Sequence, residues 1–103
     1  HHNHQFKNIT LFSSKKLHRK TFEFWCDNLP PSVIRGKGIL YFGDEPENSW
    51  IWQKVGKHYS FKKSHIKTEI TKVLLIGTME MPVSFELDLP EGLEKIRYST
   101  YTR

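Results

Sequence analysis

The sequence predicts an α+β fold, a two-layer sandwich in which one main helix covers a largely antiparallel sheet of four to five strands. Two runs of large apolar residues, at 39–42 and 73–76, predict central strands. One amphipathic segment, 17–29, predicts the helix. Because short turns join the later strands, we expect those strands to be antiparallel neighbours.

The first strand is predicted over residues 5–13, where a β-rich composition ends at a serine pair. In the helix that follows, an apolar stripe about 140° wide faces the core. The stripe comprises Leu17, Thr21, Phe24, Trp25 and Leu29. Ser13 or Ser14 is expected to cap the start, and the two prolines at 30–31 end the helix because proline lacks an amide proton.

The segment 32–42 is the centre of the predicted fold. Arg35 and Lys37 alternate with two glycines there, and four large apolar residues follow. We expect a loop that holds both cations at the entrance of a strand buried on both faces. Four glycines are predicted to be critical to the backbone: Gly36, Gly38, Gly56 and Gly77.

An acidic turn at 43–49 leads into a strand over 50–55 with alternating faces. Trp50 and Trp52 share one face, which we expect to be only partly covered, and Ile51 lies on the other. The tryptophans either pack under the helix or form a platform on which aromatic rings or bases stack.

The remaining chain is predicted as a short strand at 58–61, a polar loop at 62–72 and a central strand at 71–77. Residues 85–89 alternate like an edge strand. A short helix is expected over 93–98, after a proline and a glycine.

Composition narrows the function further. The 103 residues suffice for one domain with its own core, and no apolar run reaches the roughly 20 residues of a membrane span. The single cysteine, Cys26, has no partner for an internal disulfide and is expected to be an inert thiol, so a reducing, cytoplasmic setting is predicted. The net charge of +5 favours acidic partners.

The first five residues are expected to be a His-rich linker or the remnant of a purification tag, and residues 6–103 one domain. His1, His2 and His4 are nevertheless candidate metal ligands, because imidazole nitrogens bind transition metals where the rings converge.

Several motifs follow one another in an order that resembles a known family. They are the aromatic helix ending at Leu29 and Pro30, the Arg35-Gly36-Lys37-Gly38 element opening a strand, the Val55-Gly56-Lys57 turn, and the closing strand that ends in Ile76-Gly77. Together they look like the C-terminal domain of CobW-like metal-handling GTPases, over about residues 6–77. Residues 78–103 depart from the family pattern, which usually continues into a helix.

The resemblance implies a non-catalytic module tethered to a GTPase that moves zinc or cobalt to client proteins, in a context related to cobalamin synthesis. Its implied partners are the N-terminal GTPase domain of the parent and client metalloproteins. Zinc or cobalt and GTP are implied for the parent, since this chain has no phosphate-binding loop. Arg35 and Lys37 are predicted either to dock acidic groups or to hold the strand entrance structurally.

A nucleic-acid-binding domain is the alternative. In that case one basic, aromatic surface is expected to bind the phosphates and bases. It would comprise Arg35, Lys37, Trp50, Trp52, Lys54 and Lys57.

Overall fold

The computed structural model describes residues 5–13, 17–82, 89–90 and 92–102. Its elements, in chain order, are β1 (Gln5–Ser13), α1 (Arg19–Asp27), β2 (Val33–Tyr41), β3 (Ser49–Val55), β4 (His58–Ser64), β5 (Thr71–Gly77) and β6 (Glu94–Thr102). Within the described part, no helix is long and apolar enough to cross a bilayer.

The strands form one sheet in the order β4-β3-β2-β5-β1-β6, and each neighbouring pair is antiparallel. The predicted α+β sandwich with one helix on an antiparallel sheet is confirmed. The strand count is higher than predicted, because the described sheet has six strands. The lysine-rich segment after residue 61 is also partly strand, since β4 continues to Ser64.

The predicted central position of β5 is confirmed, because this strand is hydrogen-bonded to β2 on one side and to β1 on the other. The prediction for β2 was wrong in two respects. Arg35 and Lys37 lie inside the strand rather than in a loop before it, and only one face of the strand is buried. On the other face Ile39 and Tyr41 keep partial exposure, since α1 covers the opposite side of the sheet.

Helix α1 is shorter than predicted and presents a different face. Its buried residues are Phe22, Trp25 and Cys26, whereas Phe24 is 70% exposed. Leu17 precedes the helix and forms a bridge with Phe42, so its inclusion in the helical pattern rotated the predicted stripe. The residue at the N-cap position is His18, without a side-chain hydrogen bond, rather than Ser13. The other predicted cap, Ser14, lies outside the described residues.

The core lies between α1 and one face of the sheet. The Phe22 ring packs within 5.3 Å of the Trp52 ring, edge to face, and within about 6 Å of Phe42 and Phe61, measured between centroids. Such aromatic contacts stabilise a core beyond the area they bury. This side of the sheet, with the helix on it, is called the closed face below.

The tail differs from its prediction. Residues 94–102 form β6, an edge strand antiparallel to β1, in place of the predicted short helix. The segment EKIRYSTYT is rich in β-branched and aromatic residues, which favour a strand once a partner is available. The predicted edge strand at 85–89 lies almost wholly outside the described residues.

Candidate functional site

Strand β2 separates the candidate site from the core. Successive residues of a strand point to opposite faces, so Arg35 and Lys37 share one face and Gly36 and Gly38 share the other. The two cations are exposed on the side away from α1. We call this side of strands β2–β5 the open face.

The glycines of β2 allow close packing on the closed face. A Cβ on Gly36 would lie 2.5 Å from Cη2 of Trp52, and one on Gly38 would collide with the carbonyl oxygen of Lys72. Neither residue has a positive φ, so space rather than backbone conformation requires glycine here. Gly77 is similarly crowded, by Met81, whereas Gly56 has a φ of 59° in the β3–β4 turn.

Of the two alternatives for the tryptophans of β3, packing under the helix is the one that the structure supports, and they do not form an exposed platform. Trp52 is fully buried, and Trp50 lies on the same closed face. The Arg19 guanidinium lies 4.8 Å from the Trp50 ring centroid and 4.5 Å from that of Phe61. A protein cation thus already covers Trp50. In addition, the candidate set for nucleic-acid binding is divided between the two faces of the sheet.

Sequence reasoning missed the role of Arg19. Its side chain pairs with Glu23 in α1 at 3.1 Å and with Glu45 in the acidic turn at 3.4 Å, while it stacks on aromatic rings. The planar guanidinium suits both kinds of contact. Arg19 thus fastens the start of the helix to the turn between β2 and β3.

Lys54 was predicted as an exposed contact residue, and this is wrong. It is only 4% exposed, and its Nζ donates hydrogen bonds to the carbonyl oxygens of Val33, at 3.1 Å, and Gly56. Burial lowers the pKa of Lys54, since an ammonium group loses its hydration there. Lys57, in contrast, is exposed in the turn.

Lys54 and Cys26 line a cavity of about 650 Å³ at the end of α1. Burial raises the pKa of the Cys26 thiol to about 12, with Asp27 adding to the effect. The thiol is therefore protonated at neutral pH, as expected for an inert cysteine. Tyr59 donates a hydrogen bond to Asp27 at 2.8 Å, and its pKa is raised by burial and by this bond.

Metal ligands do not converge in the part of the chain that the structure covers. No group of three or more His, Cys, Asp or Glu side chains is arranged there to hold an ion. The three candidate histidines, His1, His2 and His4, lie outside the described residues.

The open face combines charge with apolar surface. Arg35, Lys37 and Lys72 are exposed on it, and the sequences of β2, β3, β4 and β5 contain no Asp or Glu. A groove of about 440 Å³ lies on this face, and its lining includes Lys37 and Lys72 together with Ile39, Ile51 and Leu74. Such a surface attracts acidic groups and offers them apolar neighbours.

Comparison with known proteins identifies the family. The model of the cobalamin synthesis protein cobW C-terminal domain matches residues 6–94. The chain therefore belongs to the family of CobW C-terminal domains. No curated protein matches the chain.

Two solved structures share the fold. The Zn(II)-bound YjiA GTPase from E. coli aligns with a TM-score of 0.65 and 22% sequence identity, over 80% of this chain and 27% of that chain. A Zn(II)-bound triple mutant of the YjiA GTPase gives a TM-score of 0.61 and 19% identity with the same coverage. The chain thus spans about a quarter of the length of these GTPases.

Proposed function

We propose that the chain is the non-catalytic C-terminal interaction domain of a CobW-like GTPase that delivers zinc or cobalt to client metalloproteins. The family match over residues 6–94 supports this assignment. GTP is bound and hydrolysed by the N-terminal domain of the parent, because the sequence here lacks the Gly-x-x-x-x-Gly-Lys-Ser/Thr loop that cradles phosphates. The metal is cargo, and this domain acts on the proteins that exchange it, in the cytoplasm.

One observation supports the docking role above all others. Arg35 and Lys37 lie side by side and exposed on a face whose four described strands β2–β5 contain no carboxylate. An exposed cation without a neighbouring acid is free to pair with an acid on another protein. We expect both residues to bind acidic groups, on the GTPase domain or on a client, in response to the nucleotide state.

The experiment uses the intact parent carrying Arg35→Ala with Lys37→Ala. Client proteins captured with a GTP analogue and with GDP are quantified by mass spectrometry. Nucleotide-dependent capture should fall at least ten-fold, while basal GTP hydrolysis stays unchanged, because the two residues lie outside the nucleotide site.

The matched control is Lys20→Ala with Lys57→Ala, which removes two exposed cations from the helix and the β3–β4 turn. This variant should capture clients normally. Unchanged capture by the Arg35 and Lys37 variant, or equal loss in the control, would refute the docking role.

A further inference from the structure

We infer that the open face binds a client segment that presents carboxylates and aliphatic side chains together on one side. The inference rests on the proposed function, and it adds the place and the chemistry of docking. It follows from the pattern of residues across β2 and β5, from the groove that spans β3, β2 and β5, and from the charge of these strands.

Cations and aliphatic residues are paired across β2 and β5. Three cross-strand pairs on the open face each contain one cation and one aliphatic residue: Arg35 with Ile76, Lys37 with Leu74, and Lys72 with Ile39. The cation lies on β2 in two of these pairs and on β5 in the third. A segment that crosses the two strands therefore meets a cation and an aliphatic side chain side by side, rather than in separate patches.

The groove limits the size of the occupant. The groove is shallow, and its exposed surface is far smaller than the roughly 800 Å² that each partner of a typical stable interface buries. It accommodates a few side chains of one segment. For this reason we assign the occupant to a client segment rather than to the GTPase domain.

Charge and lining decide the chemistry of that segment. Lys37 and Lys72 line the same groove, so an anion placed there is attracted by both cations. Ile39, Ile51 and Leu74 add aliphatic surface, and none of the described lining residues is aromatic. Nucleic-acid bases stack on aromatic rings, so this lining favours a protein segment over a single-stranded nucleic acid.

The test titrates the isotopically labelled 103-residue chain with three ten-residue peptides and records amide NMR spectra. The probe, called the Glu-Leu peptide, repeats Glu-Glu-Leu-Leu, so that an extended chain presents both residue types on each side. The two controls repeat Glu-Glu-Ser-Ser (the Glu-Ser peptide) and Lys-Lys-Leu-Leu (the Lys-Leu peptide). The Glu-Leu peptide should bind with a Kd below about 1 mM and shift the amides of Lys37, Ile39, Ile51 and Lys72. The control peptides should bind at least ten-fold more weakly.

A charge swap makes the test specific. Lys37→Glu with Lys72→Glu should lower the affinity for the Glu-Leu peptide at least ten-fold and raise the affinity for the Lys-Leu peptide. The face then repels the first peptide and attracts the second. The control is Lys20→Glu with Lys57→Glu, which alters the net charge by the same amount but at positions away from the open face. It should leave both affinities within about two-fold of those of the unchanged chain. Amide spectra of the variants also verify that the sheet is intact.

Four results would overturn the inference. They are no binding of the Glu-Leu peptide, shifts confined to the helix, equal affinity for the Glu-Ser peptide, and tighter binding of an oligo-dT probe at the same residues in 150 mM salt. If the peptide fails while the Arg35 and Lys37 variant of the parent still loses its clients, this inference falls and the proposed function stands.

Discussion

The two faces of the sheet are built from the same strands and yet differ in burial and in charge. The closed face buries Trp52 and Phe42 under the Phe22 ring of α1. The open face exposes Arg35 and Lys37 next to half-covered aliphatic residues. Packing on the first supplies the stability of the fold, and charge on the second is available for partners.

Strand β2 shows how one segment serves both faces. Its alternation places Gly36 and Gly38 toward the core and Arg35 and Lys37 toward solvent. The glycines let Trp52 and the backbone of β5 approach closely, while the cations that alternate with them lie on the opposite face. Changes on the closed face should therefore affect stability, and changes on the open face should affect binding alone.

The largest effect is expected at the centre of the closed face. Phe22→Ala removes a fully buried ring that contacts four others, and it should lower the free energy of unfolding by about 3–5 kcal/mol. Urea denaturation measures this. The matched control is Phe24→Ala on the same helix, where the ring is 70% exposed and the change should stay within about 0.5 kcal/mol. Equal losses would mean that the helix packs through a different face.

A smaller loss is expected when a methyl group is added to the closed side of β2. Gly36→Ala brings a Cβ within 2.5 Å of the Trp52 ring and should cost about 1–3 kcal/mol in unfolding free energy. Trp52→Phe shortens the facing ring, so the double variant should lose less than the sum of the two single variants. Strict additivity in this cycle would contradict the contact.

Alkaline pH should expose a third property of the closed face. The pKa of Cys26 is raised from 9.0 to about 12 in the fold, so the unfolded chain releases this proton first as the pH rises. Stability should therefore fall between pH 9 and about 12, by at most about 1.4 kcal/mol per pH unit from this group.

Cys26→Ala should show a shallower decline over the same range, measured by urea denaturation at each pH. The remaining slope is attributed to other groups, including Tyr59, whose pKa is also raised. Identical slopes in the two proteins would show that the thiol is not buried.

The smallest effect on stability is expected on the open face. Arg35→Ala with Lys37→Ala should change the unfolding free energy by no more than about 0.5 kcal/mol, because exposed side chains contribute little to stability. Thermal unfolding followed by circular dichroism measures this. A loss above about 1 kcal/mol would favour the structural role for the two cations.

The sequence predicted those parts of the fold that depend on local pattern. The apolar run at 73–76 identified the central strand, and the proline pair after residue 29 marked the end of the helix. The alternation at 50–55 predicted a strand, but it did not show which face the helix would cover. The burial of Trp52 follows from a contact with Phe22, 30 residues earlier in the chain.

Contacts between distant residues explain the wrong predictions. The partners of Lys54 are carbonyl groups of Val33 and Gly56, which no residue pattern reveals. The strand at the chain end depends on pairing with β1, about 90 residues away. For the candidate site, the sequence singled out Arg35 and Lys37, but Lys72 joins them only through the register between β2 and β5.

The most direct test of the two-face account is lysine footprinting of the intact parent with a captured client. Acetylation of each lysine is measured by mass spectrometry in the free and the client-bound protein, both with a GTP analogue. Lys37 and Lys72 should become at least five-fold less reactive when the client is bound, while Lys20 and Lys57 should not change. Equal labelling of Lys37 and Lys72 in both states, or protection centred on Lys20, would contradict the account.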